Sequence, residues 1–151
     1  FKATYTGKNI TPKVTVKYKN ITLREGIDYK VVYKNNKKIG TAKIYVIGLN
    51  NFKDSNTYKM KIIPAKTKIT KKKATKKKIT LKIKKVKGAT GYQVVYSLKK
   101  NFKGKKKINT KKRTVVIKRK KSGKYYVKVR AYKKIGKKYV YGNYTKRITI
   151  K

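Results

Sequence analysis

Short runs in which apolar residues alternate with lysine or threonine recur along the whole chain. In residues 79–83, Ile79, Leu81 and Ile83 fall on one side of an extended strand, and Thr80 and Lys82 fall on the other. Successive side chains of a strand point to opposite faces, so this period of two predicts strands with one buried face. No stretch has the period of a helix, and the pattern therefore predicts an all-β chain.

Runs rich in valine, isoleucine and tyrosine predict the strands, because β-branched and aromatic side chains suit a pleated, half-buried surface. Turn residues such as Asn35 and Asn36 separate the runs. The predicted strands cover residues 14–18, 29–33, 42–47, 58–63, 79–83, 92–96, 114–117, 125–132 and 147–150. Many short strands at this spacing favour β-sandwiches.

A change of composition near Pro64 divides the chain. All three acidic residues, Glu25, Asp28 and Asp54, precede it, and none follows. We therefore predict two tandem immunoglobulin-like β-sandwich modules, covering residues 1–64 and 65–151. The lysine-rich tract 71–78 fits either a solvated linker or a charged edge strand that resists aggregation. The alternation in residues 67–70 favours the edge strand.

Positive charge is the most unusual property of the chain. The 49 lysines and arginines against 3 acids give a net charge of +46, far above the magnitude of about 2–8 common for a small domain. High charge with few apolar residues is also typical of disorder, but the regular alternation favours a folded chain. The chain has no cysteine, which excludes disulfides, and no apolar run near the ~20 residues of a transmembrane helix.

The residues needed for catalysis are scarce. Histidine and cysteine are absent, so general acid–base chemistry has few candidate groups. Glu25 and Asp28 flank a predicted turn, where short acceptors bind free backbone N–H groups. We predict a chain that is not an enzyme, with no catalytic residue, no metal site and no cofactor.

The second half, residues 65–151, resembles the fibronectin type III modules of secreted and cell-surface proteins of Gram-positive gut bacteria. The segment 79–96 is similar to the second and third strands of that family with their connecting loop. The spacing Tyr125-x-Val127-x-Val129-x-Ala131 is similar to its sixth strand. The resemblance implies that the Tyr125 hydroxyl binds nearby backbone, as in a tyrosine corner. Ile83 departs from the family, which usually carries a core tryptophan there.

The first half resembles the small immunoglobulin-like repeats that occur in tandem in the same kind of bacterial surface protein. The resemblance is carried by segments 5–14, 23–36, 39–42 and 48–52. Because Phe1 begins in the middle of a pattern, we expect the module to be truncated at its N-terminus. The two resemblances imply an extracellular or cell-surface protein. The first functional hypothesis is thus a structural or adhesive spacer joined to neighbouring domains of a longer chain. A Lys–Asn isopeptide cross-link beside a buried acid is a further possibility that the resemblance raises.

The charge supports an alternative hypothesis, a module that binds polyanions. Candidate partners are wall teichoic acid, anionic glycans and nucleic acid, bound without sequence preference because the basic residues are mainly lysine and widely spread. Four residues of the last strands form a predicted basic and aromatic binding strip: Lys128, Arg130, Tyr132 and Arg147, beside Tyr126. An ordinary solvated sheet face is the simpler interpretation of this strip. An intracellular protein that packages nucleic acid is a third hypothesis.

Overall fold

Fourteen strands and no helix make up the regular structure of this chain. The computed structural model describes all residues from Phe1 to Lys151. It contains two separate units, Phe1–Ile62 and Ile63–Lys151, divided two residues before the predicted module boundary. No helix is present that could cross a bilayer. The all-β prediction is confirmed.

The first unit is built on one four-stranded sheet, in which β4, β5 and β6 pair antiparallel, and a small ribbon. The sheet has the order β1-β6-β5-β4, and the ribbon pairs β2 with β3. These strands are β1 (Lys2–Thr4), β2 (Lys17–Tyr18), β3 (Ile21–Thr22), β4 (Tyr29–Lys34), β5 (Gly40–Gly48) and β6 (Ser55–Ile63). Ala42, Ile44 and Val46 alternate along β5 and are buried, as are Met60 and Ile62 of β6. That this unit forms a complete sandwich stays a prediction.

The predicted strand at residues 14–18 is wrong for its first three residues. Only Lys17 and Tyr18 are in a strand, and Val14–Val16 are irregular. The hydroxyl of Tyr29 donates a hydrogen bond to the Val14 carbonyl, and that of Tyr33 donates to the Pro12 carbonyl. Tyrosine side chains from β4 thus satisfy carbonyls that a neighbouring strand would otherwise have to satisfy.

The second unit is a sandwich of two sheets. One sheet has the order β11-β8-β7, and the other has the order β10-β9-β12-β13, with β14 also paired to β12. Its strands are β7 (Ile69–Ala74), β8 (Lys78–Ile83), β9 (Gly91–Ser97), β10 (Lys106–Thr110), β11 (Thr114–Lys118), β12 (Tyr125–Ile135), β13 (Lys138–Tyr141) and β14 (Ile148–Ile150). This strand order is that of an immunoglobulin-like sandwich of the fibronectin type III kind.

Alternating apolar side chains from both sheets form one core in this unit. Ile79, Leu81 and Ile83 are at most 2% exposed, and they pack in one cluster with residues of β12 such as Val127 and Val129. The period of two predicted this face correctly. Ile83, where the resemblance to fibronectin type III modules leads one to expect a tryptophan, is itself enclosed, so the smaller side chain is accommodated within the core.

Edge strands account for both a confirmed prediction and most of the missed elements. β7 lies at an edge of its sheet with almost every residue exposed, which confirms the edge strand for residues 71–74 of the lysine-rich tract; residues 75–77 connect it to β8, which begins at Lys78. β10 and β13 were not predicted: β10 carries few apolar residues, and β13, although three of its four residues are tyrosine or valine, is very short. In β10, Ile108 is the only apolar side chain among lysine, asparagine and threonine. Pairing with β9, rather than an apolar stripe of its own, keeps β10 in the sheet.

The predicted tyrosine corner is present. Tyr125, the first residue of β12, is 4% exposed, and its hydroxyl donates a 3.0 Å hydrogen bond to the Lys121 carbonyl. The guanidinium carbon of Arg119 lies 5.3 Å from the centre of the Tyr125 ring. The same guanidinium donates to the carbonyls of Thr75, Lys151 and Gly123. Tyr125 and Arg119 together hold the loop before β12 against the sandwich.

Candidate functional site

The predicted binding strip lies on the outer face of β12. Val127, Val129 and Ala131 point into the core, so the residues between them, including Lys128 and Arg130, point away from it. Both cations are only partly exposed. What covers them decides how freely they can meet a ligand.

Aromatic rings alternate with the two cations across this face. The Lys128 Nζ lies 4.4 Å from the centre of the Phe102 ring and 4.6 Å from that of Tyr144. The Arg130 guanidinium carbon lies 3.7 Å from the centre of Tyr141 and 4.4 Å from that of Tyr144. These five residues form what we call the cation–aromatic ladder. Each cation–ring contact of this kind contributes about 0.5–1 kcal/mol at an exposed site.

A buried glutamine anchors the ladder to the sheet. Gln93 of β9 is 3% exposed, and its Oε1 accepts hydrogen bonds from Arg130 Nε at 2.9 Å and from the Tyr144 hydroxyl at 2.8 Å. Its Nε2 donates to Asn109 Oδ1 on β10. Both ends of the buried amide are therefore satisfied, as burial requires. With Gln93 and Asn109, the ladder is a connected network across strands β9, β10, β12 and β13 and two loops.

Tyr132 lies on the same outer face of β12, but it is covered there and is not exposed to solvent as a binding strip requires. It is 5% exposed, and the rings of Tyr139 and Tyr141 pack edge-on against it. On its other side it lies so close to Gly91 that a Cβ there would meet the Tyr132 hydroxyl at 2.5 Å. Tyr132 is therefore part of the packing of β13 onto β12. Its exposure was misjudged from the sequence because β13 was not predicted.

Arg147 lies apart from the ladder. Its guanidinium carbon is 5.5 Å from the centre of the Tyr126 ring, and its Nη1 donates to the Lys100 carbonyl. The structure thus brings Lys128 and Arg130 together, with Arg147 at a separate position. Sequence reasoning missed Phe102 and Tyr144, which lie in loops, and Gln93. A glutamine within the otherwise apolar run 92–96 was the one available signal of a buried polar network.

Most of the positive charge lies outside the cation–aromatic ladder. Every lysine except Lys128 and Lys133 is exposed, and the chain has one ion pair, between Arg24 and Asp28. The second unit contains no acidic residue that could form another. The lysine surface is therefore open and uncompensated.

The carboxylate of Asp28 has a structural role in a turn. Asp28 Oδ2 accepts hydrogen bonds from the Arg24 backbone N–H at 2.8 Å and from Arg24 Nε at 3.2 Å. These bonds, the backbone one first, lower the pKa of Asp28 below its usual value. This agrees with the predicted turn role.

The isopeptide cross-link has no site in this structure. The buried polar side chains are Thr67, Gln93 and Ser97, so no lysine, asparagine or acid occupies the apolar site that an isopeptide cross-link requires.

Comparisons with known proteins found similarity among solved structures, where 18 chains match. No protein-family profile and no curated protein matches the chain. Among solved structures, it is similar to the crystal structure of chicken CNTN1 FN1-FN3 domains, with a TM-score of 0.46 and 16% sequence identity. The similarity covers 75% of this chain and 43% of that one, so the chain spans less than half of the matched protein's length.

Replacing Tyr144 by phenylalanine tests the ladder through its pH dependence. Burial raises the pKa of the Tyr144 hydroxyl above its usual value of 10.0, so the folded chain holds this proton more tightly than the unfolded chain. Tyr144→Phe should lower the free energy of unfolding by about 1 kcal/mol through loss of the bond to Gln93. This difference from wild type should be constant below pH 10 and shrink as the pH rises through the raised pKa.

The measurement is urea denaturation of both proteins from pH 7 to pH 11, followed by circular dichroism. Lysine titration affects both proteins alike and cancels in the difference. Tyr58→Phe is the matched control, because Tyr58 is 53% exposed and its loss should change little at any pH. A Tyr144→Phe difference near zero at pH 7, or one that grows above pH 10, would contradict the network.

Proposed function

We propose that this chain is a non-catalytic module of an extracellular bacterial protein whose exposed lysines bind anionic polymers. The proposal rests on the lack of acidic partners for the positive charges: the chain has a net charge of +46 and forms one ion pair. Anionic polymers hold condensed counterions, and lysines that neutralise their charges release those ions. Wall teichoic acids, anionic glycans and nucleic acids share this chemistry.

The proposed binding is spread over the surface. Lysine acts as a strongly hydrated point charge without the bidentate geometry that reads a particular group. The exposed lysines occupy both units and both sheets of the sandwich. Lys128 and Arg130 are less available, because aromatic rings and Gln93 already contact them. Whether the predicted strip of Lys128, Arg130, Tyr132 and Arg147 binds a ligand stays a prediction.

Salt titration of polymer binding tests this proposal. Affinity for a fluorescent oligothymidylate and for heparin should fall steeply with sodium chloride, by about a hundredfold between 50 and 200 mM if about five phosphates are neutralised. Two triple glutamine variants on different edges should weaken binding to a similar extent, because no patch is special. The variants are K71Q/K72Q/K73Q and K134Q/K137Q/K138Q.

A double variant of the predicted strip, K128Q/R147Q, is compared with K72Q/K77Q on exposed positions. The two should weaken binding equally. Saturable binding that persists near 0.5 M salt, where the Debye length is about 4–5 Å, together with a much larger loss in K128Q/R147Q, would overturn diffuse attraction in favour of a dedicated strip.

A second candidate function, a structural or adhesive spacer, is supported by the way the chain enters and leaves the second unit. Near its start, Pro64 packs against Gly142, whose N–H donates to the Ala131 carbonyl. Near its end, Ile150 pairs with Tyr125. Ala131 and Tyr125 are six residues apart on β12, about 20 Å along a strand. Chain ends at opposite ends of a sandwich allow modules to be joined in series.

Spin labels test the spacer candidate, since the chain has no native cysteine to compete with introduced ones. Labels at Lys66→Cys and Lys151→Cys should give one narrow distance distribution, because both segments are bound to β12 or its neighbours. Pulsed electron spin resonance measures this distance directly. A broad or double distribution would show that the unit does not hold its ends at a fixed separation and would count against a spacer.

A further inference from the structure

One side of the sandwich in the second unit is open. The sheet β11-β8-β7 ends at β11, while the facing sheet continues through β9 to β10. Tyr96 of β9 and Ile108 of β10 pack against the core but are only partly buried, because β11 is the last strand that could cover them. Between the two sheet edges lies a half-open groove of about 650 Å³. This volume is within the range of about 300–1,000 Å³ typical of sites for small ligands.

The floor of this groove is apolar. Tyr96 stacks on Tyr125 with ring centres 6.4 Å apart, and Ile108 continues the floor along β10. Two strongly exposed apolar side chains flank it: Leu98 is 42% exposed and Val116 is 48% exposed. An apolar group placed here would remove Tyr96, Ile108, Leu98 and Val116 from water and extend the existing core.

The wall of the groove is cationic. Six lysines line it, and no acidic residue of the second unit is available to neutralise them. They are Lys99, Lys103, Lys106, Lys118, Lys120 and Lys121. All six are exposed, so the ammonium groups reach solvent while their stems border the apolar floor. A ligand complementary to this site has an apolar body and an anionic head.

We infer that this groove binds a small anionic amphiphile, such as an alkyl or aryl sulfate, sulfonate or carboxylate. The inference draws on the same positive charge as the proposed function, but it adds a defined site and a requirement for apolar surface. A hydrophilic polyanion meets the lysines and leaves the floor uncovered. A neutral apolar molecule fills the floor and gains nothing from the lysines.

Other occupants fit less well. A second copy of this chain would bring a net charge of +46 to a lysine-lined wall, and its second unit has no acid to offer. An extended acidic peptide could add to the free edge of β10 or β11. Such a strand would use backbone groups along an edge, whereas the exposed apolar atoms lie at the mouth of a confined groove. Such a peptide is therefore included in the test as a competing ligand.

The test is a titration of the full chain with 8-anilinonaphthalene-1-sulfonate in 150 mM sodium chloride, where the Debye length is about 8 Å. Fluorescence should report one saturable site. Decyl sulfate below its micelle concentration should displace the probe, and neither sodium sulfate nor decyl maltoside should do so at equal concentration. Backbone amide shifts in nuclear magnetic resonance spectra should locate both ligands at residues 96–98, 104–108 and 116–121.

Matched variants separate the groove from general attraction. L98S/V116S removes exposed apolar surface at the groove, and I21S/I135S removes similar surface elsewhere. The first should weaken probe binding about tenfold and the second less than twofold. K118Q/K120Q/K121Q should likewise weaken binding about tenfold, against less than twofold for K71Q/K72Q/K73Q. All ten substituted positions are exposed, so these variants should remain folded, which circular dichroism checks.

The outcomes are distinct from those of the proposed function. If the groove and control variants weaken probe binding equally, or if sodium sulfate alone displaces the probe, the proposed binding site in the groove is wrong. Either result would leave the proposal of polymer binding intact. Displacement only by a peptide of alternating glutamate and valine, with no binding of decyl sulfate, would overturn it in favour of an added strand. If oligothymidylate and heparin fail to bind while the probe binds as described, the groove stands and the polymer proposal fails.

Discussion

Burial of alternating apolar side chains has to hold this chain together against its own charge. With a net charge of +46 and one ion pair, electrostatics oppose the compact state almost everywhere on the surface. The charge is placed where it costs least, since nearly all lysines are exposed and can share water and counterions. In the second unit the two sheets enclose side chains such as Leu81 and Val129 completely. The alternation of side chains along each strand thus places the apolar residues in the core and the lysines on the surface.

The ladder on β12 shows how the remaining cations are accommodated. Lys128 and Arg130 lie on a sheet face crowded by tyrosines, and rings on both sides substitute for missing carboxylates. Gln93 then connects Arg130 with Tyr144. Aromatic faces and amide oxygens can stabilise a cation without adding negative charge. In a unit without acids, they are the principal means of doing so, which is consistent with a surface whose net charge is retained.

Local pattern predicted the central strands and the edge strands β4, β7 and β11, and failed at the edge strands β10 and β13 and in the loops. The alternation of Ile79, Leu81 and Ile83 predicted their buried face directly. The spacing of apolar residues in its strand predicted Tyr125 as the tyrosine-corner residue. Strand β10 was missed because pairing with β9 holds it in place, and pairing leaves little trace in a lysine-rich sequence. Tyr132 was misjudged because the strand covering it, β13, was not foreseen. The groove depends on where one sheet ends relative to another, which no local pattern contains.

The most direct test of the central claim is the dependence of stability on ionic strength. If apolar burial opposes uncompensated like charge, the thermal unfolding midpoint should rise as sodium chloride increases from 10 to 200 mM. Most of the rise should come below about 100 mM, where the Debye length falls from about 30 to about 10 Å. A midpoint that stays constant or falls over this range would mean that the lysines do not repel one another strongly enough to matter, and would contradict the account.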